Sequence, residues 1–160
     1  MLPEVLDLRE VVHATLRLLP EEQRTRVESS APLDLPAVRG DADALRQVIH
    51  NLVLNGLDAI ADSSRGRISI GLSVRRRGLL RGDAVALDVC DNGPGLSNQT
   101  MTNLFVPFHT TKTGGTGLGL PISMRIVEHH RGTIEVGRAV EGGARFTVLL
   151  PAEEPAIEAT

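Results

Sequence analysis

Two glycine clusters bracket one stretch of this chain, D-N-G-P-G-L at 91–96 and G-G-T-G-L-G-L at 114–120. Glycine lets a backbone pass close to a ligand or take a positive φ. The second cluster runs directly into an apolar helical pattern, and a helix start offers unpaired N–H groups to anions. The pairing suits a phosphate-bearing ligand held between two glycine turns under a loop. The second cluster is not a P-loop, because no G-K-[ST] follows. It does not complete G-x-G-x-x-G and no strand precedes it, so it is not a dinucleotide fingerprint either.

A second set of polar residues lies earlier. Gln47, Asn51, Asn55 and Asp58 recur at spacings of four, four and three, which stacks them along one side of a helix. One such asparagine commonly caps neighbouring backbone in a core. Two at i and i+4 favour a row that faces a ligand. An asparagine carbonyl is a hard oxygen suited to Mg²⁺, an ion that keeps waters and shares phosphate oxygens. Asp91 ends a strand beside a tight turn, where a carboxylate can accept from a ligand N–H. Alone, D-N-G is an ordinary aspartate turn. Lys112 stands just before the second cluster, where an ammonium can reach a phosphate; alone it is a solvated surface lysine.

The elements that must position these residues follow from periodicity. Leu8, Val11, Val12, Leu16 and Leu19 predict a helix over about residues 5 to 19, ended by Pro20. Residues 24 to 29 fit a short edge strand and 31 to 39 a loop with at most a short extended piece. A helix runs from a cap at Asp41 or Asp43 to Asp62. Alternation predicts strands over 67–74 and 85–89, paired antiparallel around the basic turn Arg75 to Asp83. Residues 118 to 130 form a helix with Pro121 in its first turn, stopped by Gly132. A hairpin follows, 133–140 and 144–150, and then a flexible tail. The segment from Asn98 to Gly115 shows no strong periodicity and reads as mobile. Helices on one face of a mostly antiparallel or mixed sheet give a two-layer α+β sandwich.

Composition sets bounds. The chain has 160 residues, a net charge of −3, one cysteine, three Phe and no Trp or Tyr. One domain with an aliphatic core is expected. No global basic excess points to nucleic acid. A lone Cys90 excludes an intrachain disulfide or a cysteine metal cluster and fits a reducing compartment. No apolar run approaches the roughly 18 residues of a membrane span.

Taken together and in order, these stretches resemble the catalytic ATP-binding domain of bacterial two-component sensor histidine kinases, within the wider family of DNA gyrase, Hsp90 and MutL. H-N-L-V-L-N-G-L-D-A (50–59) is similar to the N box and D-N-G-P-G-L (91–96) to the first glycine box. L-F-V-P-F-H-T-T-K (104–112) is similar to the F box and G-G-T-G-L-G-L (114–120) to the second glycine box. The ending G-G-A-R-F-T-V-L-L-P (142–151) resembles the last strand. The lid and second glycine box look most like kinases of the nitrogen-regulation type.

The resemblance implies a Bergerat ATP-binding fold over residues 1–151, with about three helices on one face of the sheet and a tail at 152–160. It implies ATP and Mg²⁺ as ligands. Asn55 would ligate the metal and Asn51 contact the phosphates. Asp91 would accept from the adenine amino group, with Gly93 and Gly95 letting the chain pass close by. Residues 97–115 would be the lid, anchored by Phe105 and Phe108, with Lys112 closing on the γ-phosphate. Gly115, Thr116, Gly117, Leu118 and Gly119 would line the phosphates, and Thr147 would sit near adenine.

The gyrase and Hsp90 branch carries a glutamate base where this chain has Asn51. An amide takes no proton there, so transfer to a histidine is expected over hydrolysis. His13, followed by Ala14-Thr15, lacks the phosphoacceptor context. The expected partners are therefore a separate dimerisation segment bearing the acceptor histidine and a response regulator. The expected setting is cytoplasmic, with no nucleic acid or direct membrane contact and no autophosphorylation by this chain alone. The rival readings are a gyrase- or MutL-like ATPase, an anti-sigma-type serine kinase and a catalytically silent nucleotide-binding module.

Overall fold

A computed structural model describes residues 3–104 and 119–154. The central layer is a mixed sheet of five strands in the order β2-β4-β5-β7-β6. These are β2 (Val27–Ser30), β4 (Ile68–Arg76), β5 (Asp83–Asp91), β6 (Thr133–Arg138) and β7 (Ala144–Pro151). Every neighbouring pair is antiparallel except β2 with β4. A separate short pair joins β1 (Glu4–Leu6) to β3 (Val38–Gly40). Helices α1 (Leu8–Arg17), α3 (Ala42–Ala59) and α5 (Gly119–His129) cover one face of the large sheet. The two-layer sandwich with a mostly antiparallel, mixed sheet is the fold expected from periodicity. Among the described residues no helix is long and apolar enough to cross a membrane.

Alternation along the strands decides which residues meet the helices. Ile68, Ile70 and Leu72 of β4, Val85, Leu87 and Val89 of β5, and Phe146, Val148 and Leu150 of β7 point inward. They pack against Leu45, Val48, Ile49, Leu52 and Val53 of α3, each at most 2% exposed. The opposite face carries a small separate cluster of Ala84, Ala86 and Leu149. There Arg75 reaches across to pair with Glu135.

The helix expected over residues 5 to 19 begins later, at Leu8. Asp7 caps it by accepting from the Arg9 backbone N–H at 3.0 Å, and the residues before it pair with β3 instead. A second short helix, α2 (Glu21–Arg24), begins after Pro20. The short extended piece allowed within 31–39 is the start of β3, at Val38. Within the expected lid, α4 (Asn98–Asn103) starts where Ser97 Oγ accepts from Thr100 N at 3.1 Å. That helix is made by its cap and shows no apolar repeat, so periodicity does not reveal it.

The end of α5 also differs in detail from expectation. Arg131, at φ +60°, takes the left-handed position that stops the helix. Gly132 is required for space, because a Cβ there would strike the Leu149 carbonyl. Just before Arg131, His130 ties α5 to the start of α3. Its Nδ1 lies 2.7 Å from the Ile126 carbonyl and its Nε2 accepts from Asp41 N at 3.0 Å, which makes it the neutral Nδ1–H tautomer. Gly40 leaves room for the ring.

Candidate functional site

Asp91 shares the inward parity of Val85, Leu87 and Val89 and faces α3 at the end of β5. It is 7% exposed, so its carboxylate needs partners. Oδ1 accepts from Gly93 N at 2.9 Å and from Ala144 N at 3.3 Å. Among the described residues, the hydrogen bonds to this carboxylate fall on Oδ1. The group is thus fixed in direction by backbone, an arrangement suited to accepting from a ligand N–H.

Glycines make that arrangement possible. A Cβ at Gly143 would run into both the backbone carbonyl and Oδ1 of Asp91. A Cβ at Gly93 would lie 2.9 Å from the Ala59 carbonyl. Gly95 has φ +79°, and a Cβ there would lie 2.8 Å from the Gly142 carbonyl. Gly56 lets α3 settle against β4 and β5; its Cβ would collide with Ile68 and sit 3.7 Å from Asp91 Cβ. Beside them Asn92 clasps the start of β4. Its Oδ1 accepts from Arg67 N at 2.7 Å and its Nδ2 donates to the Arg65 carbonyl at 3.0 Å.

The polar row on α3 lies along the flank of the helix. Gln47 and Asp58 are exposed, while Asn51 and Asn55 are half-buried. Asn55 directly precedes Gly56, the helix position that rests against Asp91. Asn51 reaches α5. Its Nδ2 donates to the Gly119 carbonyl at 3.3 Å and to Ser123 Oγ at 3.2 Å, and Ser123 Oγ donates to the Gly119 carbonyl at 2.8 Å. Together with His130, this ties α5 to α3 at both ends. The N-terminus of α5, the positive end of its dipole, is held against the asparagine helix.

Asn51, Asn55, Asp91, Gly93, Gly95 and Gly119 therefore belong to connected parts of one region. Lys112, Gly115, Thr116, Gly117 and Leu118 lie outside the described residues, as do Phe105 and Phe108. Thr147 is not brought here. It is in register with Asp88 on the sheet face turned away from the helices, and its hydroxyl donates to the Asp88 carboxylate. The part of β7 that reaches Asp91 is Ala144, through its backbone N–H. Cys90 shares the outer face with Asp88. Burial, and then the Asp88 charge, pushes its thiol above the ordinary range.

Residue types bound what the region can hold. Among the described residues there is no cluster of three His, Cys, Asp or Glu side chains for a metal. Asn55 carries a carboxamide, whose oxygen is a hard donor type. This fits an ion such as Mg²⁺ that takes few protein ligands and completes its shell with water and phosphate. Three participants escaped sequence reasoning: Ser123, Gly143 and Gly56. The first is an unremarked serine in a helix; Gly56 and Gly143 lie inside stretches quoted for the resemblance but were given no role there.

Comparisons with known proteins identify the family and the fold. The family described as histidine kinase-, DNA gyrase B-, and HSP90-like ATPase matches residues 40–154. The C4-dicarboxylate transport sensor protein DctS of Rhodobacter capsulatus is 37% identical over 91% of the chain, which spans 22% of that protein. Sporulation kinase B of Bacillus subtilis is 34% identical over 95% of the chain, which spans 34% of its length. The chain thus spans about a third or less of these relatives. Among solved structures, the catalytic domain of histidine kinase ThkA superposes with a TM-score of 0.80 at 29% identity, covering 95% of this chain and 97% of that one. The mycobacterial sensor histidine kinase MprB gives 0.72 at 25% identity, covering 93% and 97%. With a family match across most of its length, this chain belongs to the histidine kinase-, DNA gyrase B-, and HSP90-like ATPases.

Proposed function

We propose that this chain binds Mg-ATP and donates the γ-phosphoryl group to a histidine on a separate dimerisation segment, for relay to a response-regulator aspartate. The observation that carries the reading is the fixed, buried carboxylate of Asp91 lying under the helix that bears Asn55. An acceptor at the end of a strand and a hard oxygen one helix away suit the two ends of a nucleotide. In this reading Asp91 takes the adenine amino group and Gly93 and Gly95 give the base room. Asn55 holds the cation, and the N-terminal end of α5 faces the phosphates.

Residues 1–151 form the catalytic domain. Lys112, Gly115, Thr116, Gly117 and Leu118, together with Gly119, supply the lid and phosphate contacts. Thr147 is left out of the nucleotide contacts, since its hydroxyl is used on the other face.

Bound Mg²⁺ would neutralise the phosphate charge. The chain's own residues orient the nucleotide and leave its γ-phosphorus open to attack. The acceptor imidazole forms the N–P bond with its lone pair while the bond from the γ-phosphorus to the bridging oxygen breaks and ADP leaves. Asn51 has no carboxylate to take a proton from water, which favours this transfer over hydrolysis.

The test mixes the chain, labelled Mg-ATP and a histidine-bearing dimerisation segment, then treats the labelled segment with acid. Label lost in acid is expected, since a phosphoramidate is acid-labile. Acid-stable label would point to a serine kinase. Steady phosphate release by the chain alone would point to an ATPase.

A further inference from the structure

We propose that Ser123 is a positioning residue that fixes which end of the Asn51 carboxamide faces the ligand. Its hydroxyl is fully buried, at 0% exposure, so both its donor and its acceptor capacity matter. The single hydroxyl proton goes to the Gly119 carbonyl at 2.8 Å. What Ser123 presents to Asn51 is therefore a lone pair. The Gly119 carbonyl beside it presents another. Two acceptors, at 3.2 and 3.3 Å, confront the amide, and only its NH₂ end satisfies both. A flipped amide would set its carbonyl against the Gly119 carbonyl, and Ser123 could donate to it only by giving up its own bond to Gly119. A serine bonding back to residue i−4 is common in helices. Here the same hydroxyl, its proton committed to Gly119, also receives Asn51 from another helix, so with the Gly119 carbonyl it fixes one orientation of the amide.

The consequence concerns Asn51. With its NH₂ committed to α5, Oδ1 is the end left for a ligand, on the α3 flank shared with Asn55. A carbonyl oxygen cannot donate to a phosphate. It can accept from a cation's water or meet the cation itself. Asn51 would then serve the cation side of the site, whereas the resemblance alone implied direct contact with the phosphates. This deepens the nucleotide reading above and rests on it.

The test uses the whole chain with Ser123→Ala and Ser123→Thr. First, the Asn51 side-chain NH₂ is followed by ¹⁵N NMR without nucleotide, its signal assigned by its loss in Asn51→Ala. Wild type should show a hydrogen-bonded, slowly exchanging NH₂; Ser123→Ala should lose that protection and Ser123→Thr restore it. Second, Mg²⁺ is titrated against ATP binding. Ser123→Ala should weaken the Mg²⁺-dependent gain in affinity about fivefold, the size of one hydrogen bond, with metal-free ATP affinity unchanged.

Unchanged NH₂ protection in Ser123→Ala would overturn the proposal. So would a parallel loss of metal-free and metal-dependent binding, which would make Ser123 a packing residue. If wild type binds no ATP, the nucleotide reading fails, while the NH₂ signal still decides the role of Ser123. Should Ser123→Ala not fold, Ser123→Cys, similar in shape with a weak acceptor, is read in the same way.

Discussion

Gly143 closes over Asp91 so tightly that any side chain there would displace the carboxylate. Gly142, its neighbour, has φ +99° but open space around a Cβ. The two substitutions should therefore separate. Gly143→Ala is expected to cost about 1–3 kcal/mol of stability through overpacking and to weaken nucleotide binding at least tenfold. Gly142→Ala is expected to cost about 1–2 kcal/mol through its backbone alone and leave affinity near wild type. Urea denaturation and calorimetric titration check both; equal affinities in the two variants would refute the distinction.

Asp91→Asn keeps an oxygen for the Gly93 and Ala144 N–H groups, so the turn should survive. What changes is the end offered to the base. The variant is expected to lose its preference for ATP over GTP by about tenfold or more, the order of one charge-assisted hydrogen bond. A preserved preference in competition binding would remove Asp91 from base recognition.

Asn55→Ala should act on the metal. Affinity for ATP in the presence of Mg²⁺ is expected to fall by about tenfold or more, while affinity in EDTA stays near wild type. An unchanged difference between the two conditions would show that the cation is held elsewhere.

His130 satisfies the Asp41 N–H, the first step of α3. His130→Ala leaves that partly buried donor without its partner and opens a gap over Gly40. A loss of about 1–3 kcal/mol is expected, read as a lower urea midpoint with the same slope. A variant as stable as wild type would mean that water replaces the ring at no cost.

Asp7 gives α1 a pH-dependent start. Its hydrogen bond to the Arg9 guanidinium holds the carboxyl below the ordinary aspartate range, against the opposing effect of burial. A depressed folded value means that the stabilisation is present above the unfolded value and lost as pH falls through the folded one. Asp7→Ala should be less stable than wild type by about 1 kcal/mol at neutral pH, the usual cost of a lost cap. The gap should shrink below about pH 4. A gap independent of pH would assign the effect to helix propensity.

The candidate site was legible as a place because its residues sit in short contiguous runs. Asn55 and Asp91 each stand in a box to which the resemblance gives a role, and α3, β4 and β5 carry clean periodicity. What stayed hidden depends on how distant parts meet. β1 merged with the apolar repeat of α1, since three residues give a strand too little alternation to stand out. Thr147 was placed by its box, yet β7 is buried on both faces from Phe146 to Leu150. Its residues therefore show no inward-outward pattern, and only register with β5 reveals that Thr147 faces Asp88. The link from Ser123 to Asn51 spans 72 positions and has no local signature.

The position of β7 has a consequence for how the chain is made. Among the described residues it is the last strand in sequence, yet it lies inside the sheet between β5 and β6. Its first residue, Ala144, supplies one of the two backbone donors that hold Asp91. On a ribosome, every earlier segment would emerge before the carboxylate acquires its final direction. A nascent chain halted before Ala144 should carry both glycine boxes and the asparagine row and still fail to retain nucleotide.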